Sequence, residues 1–370
     1  YLLEGSLRNK KSVLNDQILQ VIKLKYPQID LINTEFESNN DFTFNINDKF
    51  KVKNLSINSS ILINSSQLKR NNLIDKNIIE INEFIDLKDH EIKASYANKK
   101  LSIEGKGQVK LQNKFELIDY KVANKGSDLD LESNIELSEI DIKNENLIKK
   151  YFPNTKNILN LKDHKVNINY KNNILSLKGL GKVKLENEFN KIGYSFSKKN
   201  KKYNFETDLE VNDAPLQIDI INYEKNKKFN SELRIIGSYT KKTGLDLKKI
   251  DLISKDNKLI INNLILDNKN RIVKVDKIDL DYFDNSEKRN KFVLNRIKNN
   301  YYELKGSLLN ADPIVTNLLE SKDDQQLNIF KENINISLNI SDVYLDNNNV
   351  IKNLKGKLEI IDNKVDQADI

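Results

Sequence analysis

The sequence lacks cysteine and any long hydrophobic run, and each absence excludes a class of function. Without Cys, disulfides, thiolate metal sites and cysteine nucleophiles are excluded. A transmembrane helix needs roughly 20 consecutive apolar residues, and the chain contains no run of that kind. The chain also lacks Met and starts with Tyr1. We therefore expect a fragment or a processed product, for which a missing signal peptide is uninformative.

The composition is that of a folded and strongly charged chain. Hydrophobic residues make up 38% of the 370 positions and charged residues 31%, and the apolar residues are ordered along the sequence, which favours folding over disorder. The net charge of +7 would suit nucleic acid or anionic lipid. Lys alternates with Asp and Glu along the chain and forms no block. We therefore interpret the charge as a solvated strand face and predict no nucleic-acid partner.

The dominant pattern is an alternation of apolar and polar residues, which marks strands with one buried face. Phe42, Phe44 and Ile46 show it, and similar runs occur along the whole chain. The runs are separated by dipeptides such as Asn98-Lys99 and Asn172-Asn173, and Asn tolerates the left-handed backbone of tight hairpins. The spacing predicts a mainly β fold of antiparallel strands with about 6–9 residues each.

Only three short helices are predicted. Residues 11–25 place apolar side chains on one helical face and end before Pro27. A second apolar stripe over 147–152 is stopped by Pro153. A third helix begins at Asp312-Pro313, which supplies an N-cap residue followed by proline in the first turn.

An internal repeat is visible at an offset of 74 residues. Residues 72–120 align without gaps on 146–194, with 21 of 49 positions identical. Repeats of this kind stack into an elongated sheet in which each unit buries its face against its neighbours. We therefore expect a curved antiparallel sheet of stacked repeats with a few short helices, in the form of a β-groove.

Five segments follow from the repeat. They are a strand–helix–strand unit (1–50), a first β repeat (51–124), a second β repeat (125–198), a degenerate β region (199–300) and a strand–helix–strand unit leading into a region beyond this sequence (301–370).

The two histidines occupy equivalent repeat positions, and two interpretations compete for them. His90 and His164 would form a metal pair if Asp89 and Asp163 were co-ligands. One repeat length along a stacked sheet, however, separates them too far to share an ion. We therefore interpret them as a repeated turn or strand-start residue and predict no metal site.

No catalytic constellation emerges from the remaining motifs. Gly105-Lys106-Gly107 and Gly179-Leu180-Gly181 lie inside strand patterns and favour a bulge or bend over a nucleotide loop. Asp128, Asp130 and Glu132 alternate with leucines and belong to the solvent face. No nucleophile elbow is present. We expect neither an enzyme nor a cofactor.

The apolar positions of the alternating runs are the candidate site residues, because they would line the inside of a groove. They are Leu101, Ile103, Val109, Leu111, Leu129, Leu131, Ile135, Leu137, Val166, Ile168, Leu175, Leu177, Val183, Leu185, Ile334, Ile336, Leu338 and Ile340.

The C-terminal half resembles the AsmA-like superfamily of bacterial envelope proteins, which includes the TamB-type and YhdP-type members, and it resembles the YhdP type most. The resemblance rests on the segment Tyr302–Pro313, the helix that follows it to Leu319, the run Ile334–Ile340 and the closing Asn353–Leu358. It implies a β-groove, apolar inside, that carries phospholipid acyl chains across the periplasm of a Gram-negative bacterium. It also implies an inner-membrane anchor and an outer-membrane contact through regions beyond this sequence.

Two functional hypotheses remain open at this point. In the first, the groove conducts phospholipid or maintains the outer membrane. In the second, the chain is a structural or adhesive β-solenoid with a closed core and no ligand.

Overall fold

The computed structural model describes residues 1–15, 17, 20, 30–69, 82–125, 128–143, 146–225, 229–312, 329–346 and 349–370. Within these residues, strands dominate and the helices are short, which confirms the predicted mainly β class. The chain forms two compact units. Unit 1 comprises Tyr1–Asn144 and Asn157–Val183, and unit 2 comprises Glu145–Lys156 and Lys184–Ile370.

Unit 1 is an antiparallel meander in which each strand pairs with the next strand in sequence. Its strands are β1 (Leu2–Val13), β2 (Leu31–Ile46), β3 (Val52–Lys69), β4 (Phe84–Ala97), β5 (Lys100–Lys110), β6 (Phe115–Lys125), β7 (Asp128–Lys143), β8 (Ile158–Lys171) and β9 (Ile174–Lys184).

The predicted hairpin turns are confirmed. Asn98 and Lys99, between β4 and β5, have φ of 52° and 61°, and Asn172 and Asn173, between β8 and β9, have φ of 52° and 60°. Positive φ at both central residues is what a two-residue hairpin with the right strand twist requires. These turns and the β2–β3 turn (47–51) lie at one end of the strands, which we call the hairpin margin of unit 1.

The predicted strand length is wrong, because the strands of unit 1 are longer. β3 has 18 residues and β7 has 16. The strands continue through inward-facing polar residues that separate two apolar runs. In β7 one such residue is Ser133, which is 5% exposed and donates its hydroxyl proton to the Asp119 carbonyl at 2.9 Å. Because the hydroxyl is satisfied, the strand continues through it.

The sequence repeat is also a repeat of strand boundaries. β4, β5 and β6, shifted by 74 residues, give the limits of β8 and β9 and of the first strand of unit 2, Phe189–Lys199. The repeated sequence therefore encodes a repeated set of strands. The five predicted segment boundaries stay a prediction.

Unit 2 also consists mainly of paired strands. They are β10 (Phe189–Lys199), β11 (Lys202–Val211), β12 (Gln217–Ile218), β13 (Tyr223–Glu224), β14 (Ser231–Thr240), β15 (Gly244–Ser254), β16 (Lys258–Leu266), β17 (Ile272–Lys274), β18 (Lys277–Phe283), β19 (Arg289–Lys298), β20 (Tyr301–Asn310), β21 (Ile334–Tyr344), β22 (Val350–Ile361) and β23 (Lys364–Asp369).

The strands of unit 2 pair in the order β10-β11-β14-β15-β16-β18-β19-β20-β21-β22-β23, with β17 beside β16 and with β12 paired to β13. All these pairs are antiparallel except β20–β21, in which Tyr301 lies opposite Asn335 and Asn310 opposite Tyr344. A parallel pair needs a connection of a dozen or more residues, and the two strands are far enough apart in sequence to allow one.

The helix predictions have mixed outcomes. Helix α1 (Asn146–Tyr151) and its end before Pro153 confirm the second prediction. The first is wrong at its start, since residues 11–13 belong to β1, where Val13 pairs with Glu35. Of the rest of the first helix, only residues 14, 15, 17 and 20 are described, and nearly all of the third helix lies outside the described residues. Within the described part, no helix combines the length and apolarity that crossing a membrane requires.

Candidate functional site

The predicted groove residues of unit 1 lie on one face of its sheet. Directly opposed residues of antiparallel strands point to the same side. Ile103 lies opposite Val122, which lies opposite Leu131, followed by Tyr170 and Leu175. One row of apolar side chains therefore crosses five successive strands, β5 to β9. Neighbouring rows contain Leu101 with Leu129, Ile168 with Leu177, and Ile135 with Val166.

The opposite face of unit 1 is polar and carries ion pairs. Asp128, Asp130 and Glu132 lie on it, as predicted, and Asp130 contacts Lys171 at 3.3 Å. Such exposed pairs each contribute only about 0–1 kcal/mol. They identify the solvent side of the sheet rather than stabilising it strongly.

Burial changes along the strands of the apolar face. Leu129, near the hairpin margin, is 42% exposed, and Ile103 and Leu177 in the middle are half-buried. Val109 and Val183, near the opposite end of their strands, are only 6% and 3% exposed. Val109 packs there with Ile85, Leu68, Leu87, Leu111 and Ile118. The apolar face of unit 1 is therefore open toward the hairpin margin and closed at the other end.

The two histidines are buried inside strands, so their interpretation as turn or strand-start residues is wrong. His90 is 3% exposed, and its Nε2 lies 2.9 Å from the Gln108 carbonyl. A Cβ built on Gly107 would lie 2.5 Å from the His90 ring. The ring therefore lies directly over a glycine of the neighbouring strand, and Asp89 beside it has φ of 51° at a register shift.

The second repeat reproduces this arrangement, which explains Gly181. His164 is 1% exposed, its Nε2 lies 2.9 Å from the Lys182 carbonyl, and its ring lies over Gly181. Asp163 has φ of 55°, again at a register shift. The predicted bulge is thus real, but it lies in the strand opposite the glycine. Among the described residues, no group of three potential ligands surrounds either ring.

We expect these histidines to make the stability of unit 1 depend on pH. Burial lowers the pKa of His90 and His164, although a backbone carbonyl bonded to each ring opposes the shift. In the unfolded chain a His binds a proton near pH 6.5. Stability should therefore be constant above about pH 6.5 and fall as the pH drops below that value toward the lowered pKa. Urea unfolding at about pH 7.5 and 5.5 measures this loss, and glutamine at both positions should remove it. An equal loss in the double variant would contradict the assignment.

Unit 2 has an apolar face built in the same way. One row of five leucines, each opposite the next, crosses β11, β14, β15, β16 and β18. In strand order they are Leu209, Leu233, Leu252, Leu259 and Leu280. This row is well packed, since the last three leucines are 2%, 4% and 5% exposed. Of the predicted groove residues in this unit, Leu185, Ile334 and Ile340 are buried, and Ile336 and Leu338 are half-buried.

Two segments cover parts of this face. Tyr223, after the one-turn 3₁₀ helix Asp219–Ile221, packs edge-on against Tyr282 with ring centroids 5.7 Å apart. At the other end of the strands, Phe330 packs against the cluster of Val275, Tyr302 and Ile334. The face of unit 2 is therefore closed along part of its length.

The apolar face of unit 2 is open where β10, β11, β14 and β15 meet their tight turns. Tyr203, Tyr239, Leu245 and Leu266 form the last row there. Tyr239 is 40% exposed, and its ring centroid lies 6.3 Å from that of Tyr203. Tyrosine suits such a boundary, because its ring is apolar and its hydroxyl is polar.

Three neighbouring turns beside this row concentrate the positive charge of the chain. They are 198–202, 240–244 and 267–271, and Asn268 in the third donates to the Lys241 carbonyl in the second at 3.1 Å. They contain eight Lys or Arg and one carboxylate, Asp267. The Arg271 backbone N–H and guanidinium lower the pKa of Asp267 to about 2. The prediction that Lys forms no block is therefore wrong here.

The sequence analysis did not reveal this cluster of three basic turns, because folding assembles it. The turns carry a net charge of +7, which equals that of the whole chain, so the remainder holds 53 basic and 53 acidic residues. The run Lys198-Lys199-Asn200-Lys201-Lys202 was a visible signal in the sequence. Its partner turns could be found only from the pairing of Lys202 with Thr240.

A depression of about 490 Å³ lies on unit 1, with both polar and apolar residues in its lining. Its lining includes Asp119, Asn134, Glu136, Lys165 and Asn167, which belong to the solvent face. Ile135 and Val166, which belong to one of the apolar rows, line it as well.

No protein-family model, curated protein or solved structure matches the chain. The resemblance to the AsmA-like superfamily stays a prediction.

Proposed function

We propose that the apolar faces bind phospholipid acyl chains and conduct them through the periplasm, in bridge-like lipid transport or outer-membrane homeostasis. The observation that carries this proposal is the row from Ile103 to Leu175, which crosses five strands and whose members are half-buried. Apolar side chains that remain partly accessible over such a length offer a continuous surface for hydrocarbon.

The energetics of such a row hold an acyl chain on the protein and still allow it to slide. Each CH₂ group that leaves water gains about 0.8 kcal/mol. Because one apolar row follows another, a methylene that slides forward exchanges one contact for a similar one. Escape into water loses the whole gain, whereas sliding loses little of it. The row therefore supports transport without a chemical step, and we propose no catalytic activity.

The setting we propose follows the resemblance of the C-terminal half. The full-length protein would be anchored in the inner membrane of a Gram-negative bacterium and would reach the outer membrane, in each case through regions beyond this sequence. Its ligands would be phospholipid acyl chains rather than nucleic acid.

The second candidate is a structural or adhesive β-solenoid with a closed core. It is favoured by the row Leu252, Leu259 and Leu280, which is as fully buried as a protein interior. The two candidates differ in one measurable property, because only the first requires bound lipid.

The test is lipid recovered from chain purified without detergent, extracted with solvent and identified by mass spectrometry. We expect phospholipid in the wild type. Ile168→Asp, on the apolar face, should reduce it at least about fivefold, because a carboxylate there opposes burial of hydrocarbon. The matched control Asn169→Asp, one residue along β8 on the polar face, should retain it. A wild type free of lipid would favour the solenoid.

A further inference from the structure

We infer that the three basic turns of unit 2 form a binding site for the anionic headgroup of a lipid whose acyl chains lie on the adjoining apolar face. This inference rests on the proposed function and deepens it, since it assigns the headgroup to named residues. The site comprises residues 198–202, 240–244 and 267–271, which we call the basic margin.

The first argument is the concentration of charge. Residues Lys198, Lys199, Lys201 and Lys202 are exposed, as are Lys241 and Lys242 in the neighbouring turn. These six lysines have no carboxylate within 4 Å in the described part of the chain, in contrast to paired lysines such as Lys191 with Glu210 at 3.2 Å. A cluster of free ammonium groups on an otherwise neutral chain attracts anions.

The second argument is the position of the cluster. The strands that carry these turns continue directly into the apolar face, through the row of Tyr203, Tyr239 and Leu245. The next row contains Phe205 and Leu247, which face each other across Gly237. An amphiphile with its tails on these rows would place its polar end among the lysines.

The third argument concerns the chemistry at the boundary. Tyr203 is contacted by the Lys198 Nζ, 5.5 Å from its ring centroid, and Tyr239 is 40% exposed. Tyrosine and lysine side by side are typical of places where an apolar region meets phosphate groups. The third turn adds Lys269 and has its one carboxylate already bound by Arg271 through two bonds of 2.9 and 2.7 Å. A phosphate therefore meets no unpaired carboxylate in these turns.

The test compares ligands with the same tails. The purified chain is titrated with monomeric dioctanoylphosphatidylglycerol, with dioctanoylglycerol and with glycerol phosphate. We expect the anionic lipid to bind at least about tenfold more tightly than the other two, since it alone engages both the lysines and the apolar rows.

The decisive variant replaces Lys199, Lys201, Lys241 and Lys242 with glutamine. It should weaken binding of the anionic lipid at least about tenfold and leave dioctanoylglycerol binding unchanged. The matched control makes the same change in charge on exposed lysines elsewhere in unit 2 and should shift binding less than about twofold. The control positions are Lys352, Lys355, Lys357 and Lys364.

The other outcomes separate the two proposals. Unchanged binding of both lipids by the variant overturns the headgroup site and leaves the proposed function standing. Absence of binding of either lipid to the wild type overturns the proposed function itself. Glycerol phosphate binding as tightly as the anionic lipid would assign the site to free phosphate. If the lysine variant lost only binding to phosphatidylglycerol vesicles, the basic margin would be assigned to a membrane surface. Both this result and the glycerol phosphate result would overturn the inference.

Discussion

Replacing Gly107 with valine should lower the free energy of unfolding of unit 1 by about 3 kcal/mol. A Cβ at this position would lie 2.5 Å from the His90 ring, which is closer than atoms in contact can approach. The ring has little freedom to move away, because it is 3% exposed and bonded to the Gln108 carbonyl. Urea unfolding of the variant and the wild type measures the loss.

Two further variants test whether the histidine is the cause. His90→Ala in the Gly107→Val chain should recover most of the loss, since the added methyl groups would then occupy the space of the ring. Lys106→Val, one residue along on the polar face, should cost less than about 1 kcal/mol. If the two substitutions lowered the free energy of unfolding by independent, additive amounts, the packing of the His90 ring on Gly107 would be contradicted. Gly181 and His164 should show the same coupling.

Alternation was a sufficient signal for the fold class and for the two faces. Ile103, Leu131 and Leu175 were placed on one face from parity alone, and the strand register brings them into one row. Within a regular stretch of strand, parity survives errors in strand length, because two residues separated by an even number of positions point to the same side. Parity changes only at a bulge such as the one at Asp163.

Features that depend on contacts between neighbouring strands could not be predicted from alternation. The sequence shows His90 and Gly107 as separate motifs, and their relation appears only when β4 pairs with β5. Likewise, the hydrogen bond from the Ser133 hydroxyl to the Asp119 carbonyl appears only when β6 pairs with β7. Such contacts are set by register, which the pattern of one strand does not contain.

The closed and open parts of the apolar faces were equally invisible in the sequence. Val109 and Leu101 belong to the same alternating run, yet Val109 is 6% exposed and Leu101 is half-buried. The difference arises because Val109 packs in a cluster with Ile85 and its neighbours at one end of the strands. Probes of bound lipid therefore belong at half-buried positions rather than at Val109 or Val183.

The most direct test of lipid on the apolar face is photocrosslinking at adjacent positions of β9. A benzophenone side chain replaces Leu177, which is half-buried on the apolar face, or Lys178, which is exposed on the polar face. The purified chain is then irradiated with vesicles that contain labelled phosphatidylethanolamine and phosphatidylglycerol. If hydrocarbon occupies the rows, crosslinking at Leu177 should exceed that at Lys178 at least about tenfold, because apolar contact is confined to one face. Equal or absent crosslinking at the two positions would contradict the account.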